Sequence, residues 1–161
     1  MLIVNVEDGV DDNIVPRLKA HDADLYRVFT FSGVPDGRGG TRLLELPQDI
    51  ALLENKALQR EAKLLIIDPV LTMLGGDANK DQYARKALAP PRDMVERTGV
   101  TVIWVRHLNK NVSLSVIQRG GGNTGLICVA RAGSFFAAHP DDDRLRVVAA
   151  HKPTSPCARR V

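Results

Sequence analysis

The chain has little of what marks a nucleic-acid stacker, a secreted scaffold or a membrane protein. Aromatic residues make up 4% of its 161 positions, too few for the row of rings on which single-strand binders stack bases. Its two cysteines, Cys128 and Cys157, stand far apart, with no second cysteine or histidine at ligand spacing. That argues against a zinc site and against a disulfide framework. No apolar run approaches the roughly 18 residues of a membrane span, and the N-terminus lacks the basic-then-apolar layout of a leader. A reduced, cytoplasmic setting with no membrane partner is therefore expected. Lysine and arginine nowhere form a block dense enough for a binding patch, although a net charge of +3 and a pI near 9.1 permit contact with nucleotide or nucleic acid.

What is present is an ordinary globular composition, 44% apolar and 25% charged, sufficient for one core. The stretch Leu64-Leu65-Ile66-Ile67-Asp68-Pro69 organises it. Four apolar residues are too few for a helix, and the proline forbids further strand pairing, so the segment reads as a buried parallel strand that delivers Asp68 to its C-terminal end. Two more runs behave alike: residues 2–6 end at Glu7 and Asp8, and residues 100–105 deliver Arg106, His107, Asn109 and Lys110. Residues 27–31 form a further short strand. A helix N-capped by Asp12 should run to about Ala20, another from Pro47 to Ala62, and a third from Asp81 to about Arg97, with Pro90 and Pro91 kinking or breaking it. The Gly/Pro-rich residues 32–40 read as a flexible loop, residues 124–132 as a helix, and residues 134–138 and 145–150 as strands joined by the acidic turn at 140–143. Strands alternating with helices predict a three-layer α/β domain over residues 1–151, followed by a polar, proline-containing tail at 152–161.

Three strands thus end in polar residues on one rim, where open α/β sheets bind ligands. A carboxylate able to orient a water, a second able to hold magnesium, and a polar group able to sense a phosphate are the parts of a nucleotide hydrolase. From the residues alone other readings stay open: Asp68 can simply turn the chain, Glu7 can be a solvated strand end, and His107 a surface histidine. Asp141, Asp142 and Asp143 lack the spacing of a calcium loop and read as a solvated turn.

The segments VNVEDGVDD at 4–12, LLIIDPVLTMLGGDANKD at 64–81, WVRHLNK at 104–110 and RGGGNTGLICVARAG at 119–133 resemble the RecA-like P-loop ATPases of the RepA type, a hexameric helicase and primase-helicase group. The resemblance implies a RecA-like, mostly parallel sheet, ATP and Mg2+ as ligands, a homo-oligomer, and DNA as a partner. It implies that Asp68 is the Walker B acid that binds the nucleotide's magnesium, that Glu7 is the catalytic glutamate, and that His107 is the sensor, with Asn109 beside it at the nucleotide. Arg131, or else Arg119, corresponds to an arginine finger. The chain departs from the group in one respect: no G-x-x-x-x-G-K-[ST] loop occurs in it. The glycines at 120–122 are not followed by Lys-Ser/Thr and cannot replace it. The sheet is accordingly expected to be incomplete at the N-terminus, a RecA-like domain without its first strand, P-loop and first helix, and the chain by itself inactive.

Two other classes fit some of the same residues. A receiver-type phosphoacceptor domain would use Glu7 and Asp8 as its acid cluster, Asp68 as its phosphorylated residue and Lys152-Pro153 as its Lys-Pro. A non-catalytic remnant would keep only surfaces that associate with other subunits or with DNA.

Overall fold

In the computed structural model residues 1–75, 81–109, 113, 119 and 125–151 are described; the expected tail, the glycine run at 120–122 and Lys110 lie outside them. The chain opens with β1 (Leu2–Asn5). A single turn of π-helix, Val10–Ile14, then leads into α1 (Val15–Ala20). The winding begins earlier than Asp12 suggested: the N–H groups of Asn13 and Ile14 both reach the Gly9 carbonyl, at 3.0 and 3.2 Å, so Gly9 precedes the first turn and Asp12 lies inside it. β2 (Phe29–Phe31) follows.

The Gly/Pro-rich stretch expected to be a loop folds into a small hairpin of β3 (Val34–Pro35) and β4 (Thr41–Arg42). Asp36 closes it. Its Oδ1 accepts from the N–H groups of Arg38 and Gly40 at 2.8 and 2.9 Å, and Gly37 and Gly39 supply the positive φ angles, 73° and 91°, that the reversal needs. α2 (Ile50–Gln59) is shorter than residues 47–62. Asp49 does not cap it, because its carboxylate is drawn back onto the Glu45 N–H (2.8 Å) and both arms of Arg42 (2.7 Å each). Arg42 in turn holds Asp49 well below the usual carboxylate range.

β5 (Leu64–Asp68) has the expected bounds, and a 3-10 turn at Val70–Met73 follows it. α3 (Asp81–Thr98) continues through Pro90 and Pro91, so of the expected kink or break the helix does not break. Pro91 is fully buried, and Ala84, Ala87, Leu88 and Met94 are all buried as well, so tertiary packing holds a helix that local propensity opposes. β6 (Thr101–Trp104), α4 (Gly125–Val129), β7 (Gly133–Ala138) and β8 (Arg146–His151) complete the chain.

The central sheet is parallel throughout, in the order β2-β1-β5-β6, and is flanked by helices in the manner of RecA-like domains. Its register puts Leu2, Leu65 and Val102 in one cross-strand row and Val4, Ile67 and Trp104 in another. These rows face the main core with Leu53, Ala57 and Leu88. Each fully buried side chain of this size contributes about 1.5–3 kcal/mol. A bidentate pair, Arg97 to Glu54 at 2.9 and 2.6 Å, ties α3 to α2. β7 and β8 pair antiparallel with each other as a separate sheet.

Candidate functional site

The Asn5 to Asp8 segment turns where β1 stops. Asn5 Oδ1 accepts from the N–H groups of Glu7 (3.0 Å) and Asp8 (2.8 Å), an Asx turn that swings both acids over the C-terminal edge of the sheet. Asn5 lies beside Asp68 in the β1–β5 register. Arg17 on α1 then takes Asp8 at 3.1 Å, leaving Glu7 exposed and directed elsewhere.

The β5 and β6 ends are held together by backbone. Val105 N–H donates to Ile67 O and Val70 N–H donates to Val105 O, each at 2.9 Å. This bracket sets the level of the next residues, and His107 lands between the acids, its Nε2 3.4 Å from Glu7 Oε2 and 3.5 Å from Asp68 Oδ1. Three side chains far apart in sequence therefore meet on one rim. Asn109 sits two residues farther, and its backbone is clamped to Arg119: Asn109 N–H donates to Arg119 O at 2.7 Å, and the Arg119 guanidinium returns two bonds to Asn109 O at 3.1 and 3.0 Å. Arg131 follows α4 on the surface, and among the described residues no hydrogen bond or ion pair joins it to the cluster.

Asp68 is the electrostatically unusual member. Its Oδ1 is buried without a hydrogen-bond partner among the described residues, since His107 at 3.5 Å stands beyond ordinary hydrogen-bond length. Burial pushes its pKa above the ordinary carboxylate value; a charged His107 opposes this, while the charges of Glu7 and Asp8 add to it. A buried carboxylate oxygen without a hydrogen-bond partner, with Glu7 on the other side of the same histidine, suits a cation. Among the described residues no three His, Cys, Asp or Glu side chains are arranged to hold a metal ion.

Asn5 and Arg17 were not singled out from the sequence. The signal for Asn5 was there, an Asn two residues before an acidic pair at a strand end. The Arg17–Asp8 pair spans a helix and leaves no local signature. A shallow depression lined by Ala57, Lys63, Thr98 and Val100 lies at the opposite, N-terminal ends of β5 and β6 and contains none of these groups. No described helix is long and apolar enough to cross a membrane.

A protein-family model described as an AAA domain matches residues 1–113. The matched span includes Glu7, Asp68, His107 and Asn109, and stops short of Arg119 and Arg131. No curated protein matches the chain.

Proposed function

The chain belongs to the AAA domain family of P-loop ATPases, and from that premise we propose that it carries the Walker B half of a RepA-like motor that couples ATP hydrolysis to DNA unwinding or replication. The observation that carries the reading is the meeting of Glu7, Asp68 and His107, with one Asp68 oxygen buried and, among the described residues, unpartnered. Asp68 is the residue that would hold the nucleotide's magnesium, which when bound neutralises phosphate charge. Glu7, exposed at the mouth of the cluster, orients and deprotonates the attacking water. His107, between the two acids, is placed to donate to a phosphate oxygen, with Asn109 as a second polar contact. Arg131, free of the cluster within its own subunit, acts on a neighbouring subunit's nucleotide in a homo-oligomer such as a hexamer. DNA is the proposed substrate of the motor.

The phosphate cradle of backbone amides and lysine has no counterpart in this sequence. A Walker B acid cannot replace that cradle, so the chain by itself should neither bind ATP tightly nor hydrolyse it. The assignment of roles is tested in a chain carrying a P-loop segment ahead of Met1. There Glu7→Gln should nearly abolish turnover with nucleotide affinity intact, and Asp68→Asn should weaken the magnesium-dependent part of binding. Unchanged hydrolysis by both variants would overturn the reading.

One observation favours a second reading. Taken in chain order, the parallel strands β2-β1-β5-β6 follow the order 2-1-3-4 that receiver domains share, with acids after the first strand and Asp68 after the third. Family membership opposes it, as does Arg106-His107 after β6 where a receiver has Ser or Thr. Acetyl phosphate with magnesium separates the two, since only a receiver forms an aspartyl phosphate at Asp68.

A further inference from the structure

The corner that ends β1 is fastened from two sides. On one, Asn5 Oδ1 accepts from the N–H groups of Glu7 and Asp8, at 3.0 and 2.8 Å. On the other, Arg17 Nη1 donates to Asp8 Oδ2 at 3.1 Å. Arg17 stands on α1, which is itself fixed to the corner by backbone: Gly9 O receives the N–H groups of Asn13 and Ile14, and Ile14 is buried just ahead of the helix. The guanidinium is therefore carried by an element whose place beside the corner does not depend on the ion pair. Asp8 is the more enclosed of the two acids, with 33% of its side chain exposed against 56% for Glu7.

Two carboxylates stand side by side in the sequence here, and one of them reaches the rim. Glu7 Oε2 lies 3.4 Å from His107 Nε2, while Asp8 is drawn back onto α1. Burial, and then the charges of Glu7 and Asp8, push the Asp68 pKa up, so Asp8 lies close enough to act on the same site. We propose that Arg17 is a positioning residue for Glu7: by holding the Asp8 carboxylate against α1 it locks the corner in the one orientation that presents Glu7 to His107 and keeps Asp8 from taking its place. Among the described residues Arg17 makes no hydrogen bond or ion pair to Glu7, Asp68 or His107, so it acts through Asp8. The inference rests on the role of Glu7 proposed above. An ion pair whose arginine is 68% exposed adds little to stability, whereas a catalytic group misplaced by about 1 Å can lose up to about a hundredfold in rate. Arg17 should therefore matter far more to turnover than to folding.

Two measurements separate this role from a merely structural one. In the 161-residue chain the ring resonances of His107 report on Glu7 beside it. At one fixed pH Arg17→Ala should move them, as Glu7→Gln does, while Arg17→Lys leaves them near those of the parent and neither Arg17 variant changes the urea midpoint. In the chain carrying a P-loop segment ahead of Met1, Arg17→Ala should lower kcat about tenfold with KM for ATP held within about twofold, and Arg17→Lys should recover most of the loss. In an Asp8→Asn background Arg17→Ala should have no further effect, as an arginine acting through Asp8 requires. Parental kcat in Arg17→Ala beside an inactive Glu7→Gln would overturn the proposal and leave the role of Glu7 standing, whereas full activity of Glu7→Gln would remove both. Additive losses from Asp8→Asn and Arg17→Ala, or His107 resonances unmoved by Arg17→Ala, would also overturn it.

Discussion

Replacing Asp68 with Asn should make the fold more stable. In the folded chain Asp68 Oδ1 is buried with no hydrogen-bond partner among the described residues, whereas in the unfolded chain water satisfies it. An unpartnered buried polar group costs about 1–3 kcal/mol. The Asp68 side chain retains 29% of its exposure, which places the cost at the lower end, about 1 kcal/mol. For a chain of this length that corresponds to roughly 2–4 °C in Tm. The sign with pH follows from the raised pKa of the folded state. A folded carboxyl that holds its proton more tightly than the unfolded one adds no penalty in acid. The penalty develops as pH rises through the ordinary carboxylate value and is complete above the folded pKa. The stability gap between Asp68→Asn and the parent should therefore be widest at neutral pH and close below the ordinary carboxylate range. Comparing the two chains cancels the other titrating groups. Urea unfolding followed by the fluorescence of Trp104, the single tryptophan, at one fixed protein concentration, measures the gap. A variant less stable than the parent at pH 7, or a gap independent of pH, would refute the argument that this oxygen is held in place for a ligand at the expense of the fold.

Asp49 should behave with the opposite sign. Its pKa is lowered by Arg42, so its contribution is present above the ordinary carboxylate value and is lost as pH falls through the folded one, and Asp49→Asn should remove about 1–2 kcal/mol at pH 7, discounted for the largely solvated arginine; urea midpoints at two pH values check this. Leu65→Ala, at a position with 0% exposure, should cost about 2–5 kcal/mol, whereas Ile103→Ala, at an exposed position, should leave the stability within about 0.5 kcal/mol, as paired denaturation curves would show. Calorimetric titration of the chain with Mg-ATP should show no micromolar binding, and saturable micromolar binding would mean that the phosphates find another cradle.

Much of the layout was legible locally. Leu64 to Asp68 announces itself as a strand because an apolar run, an acid and a proline each constrain the same few residues, and the hairpin of β7 and β8 is readable from two alternating runs about an acidic turn. Local readings were overridden where distant residues outvote local propensity: α3 continues through two prolines because Leu88, Pro91 and Met94 are buried together, the helix read from Pro47 begins only at Ile50, with Asp49 bound to Arg42, and a glycine-rich loop becomes a hairpin once Asp36 closes it. The sequence by itself determined which residues end the strands, since strand periodicity and chain-breaking residues act over a few positions. Only the tertiary structure decided that His107 stands within reach of both Glu7 and Asp68, and that one Asp68 oxygen is left without a partner among the described residues. Those are properties of strand order and register, set by which runs pair across long stretches of chain, and no local pattern carries them.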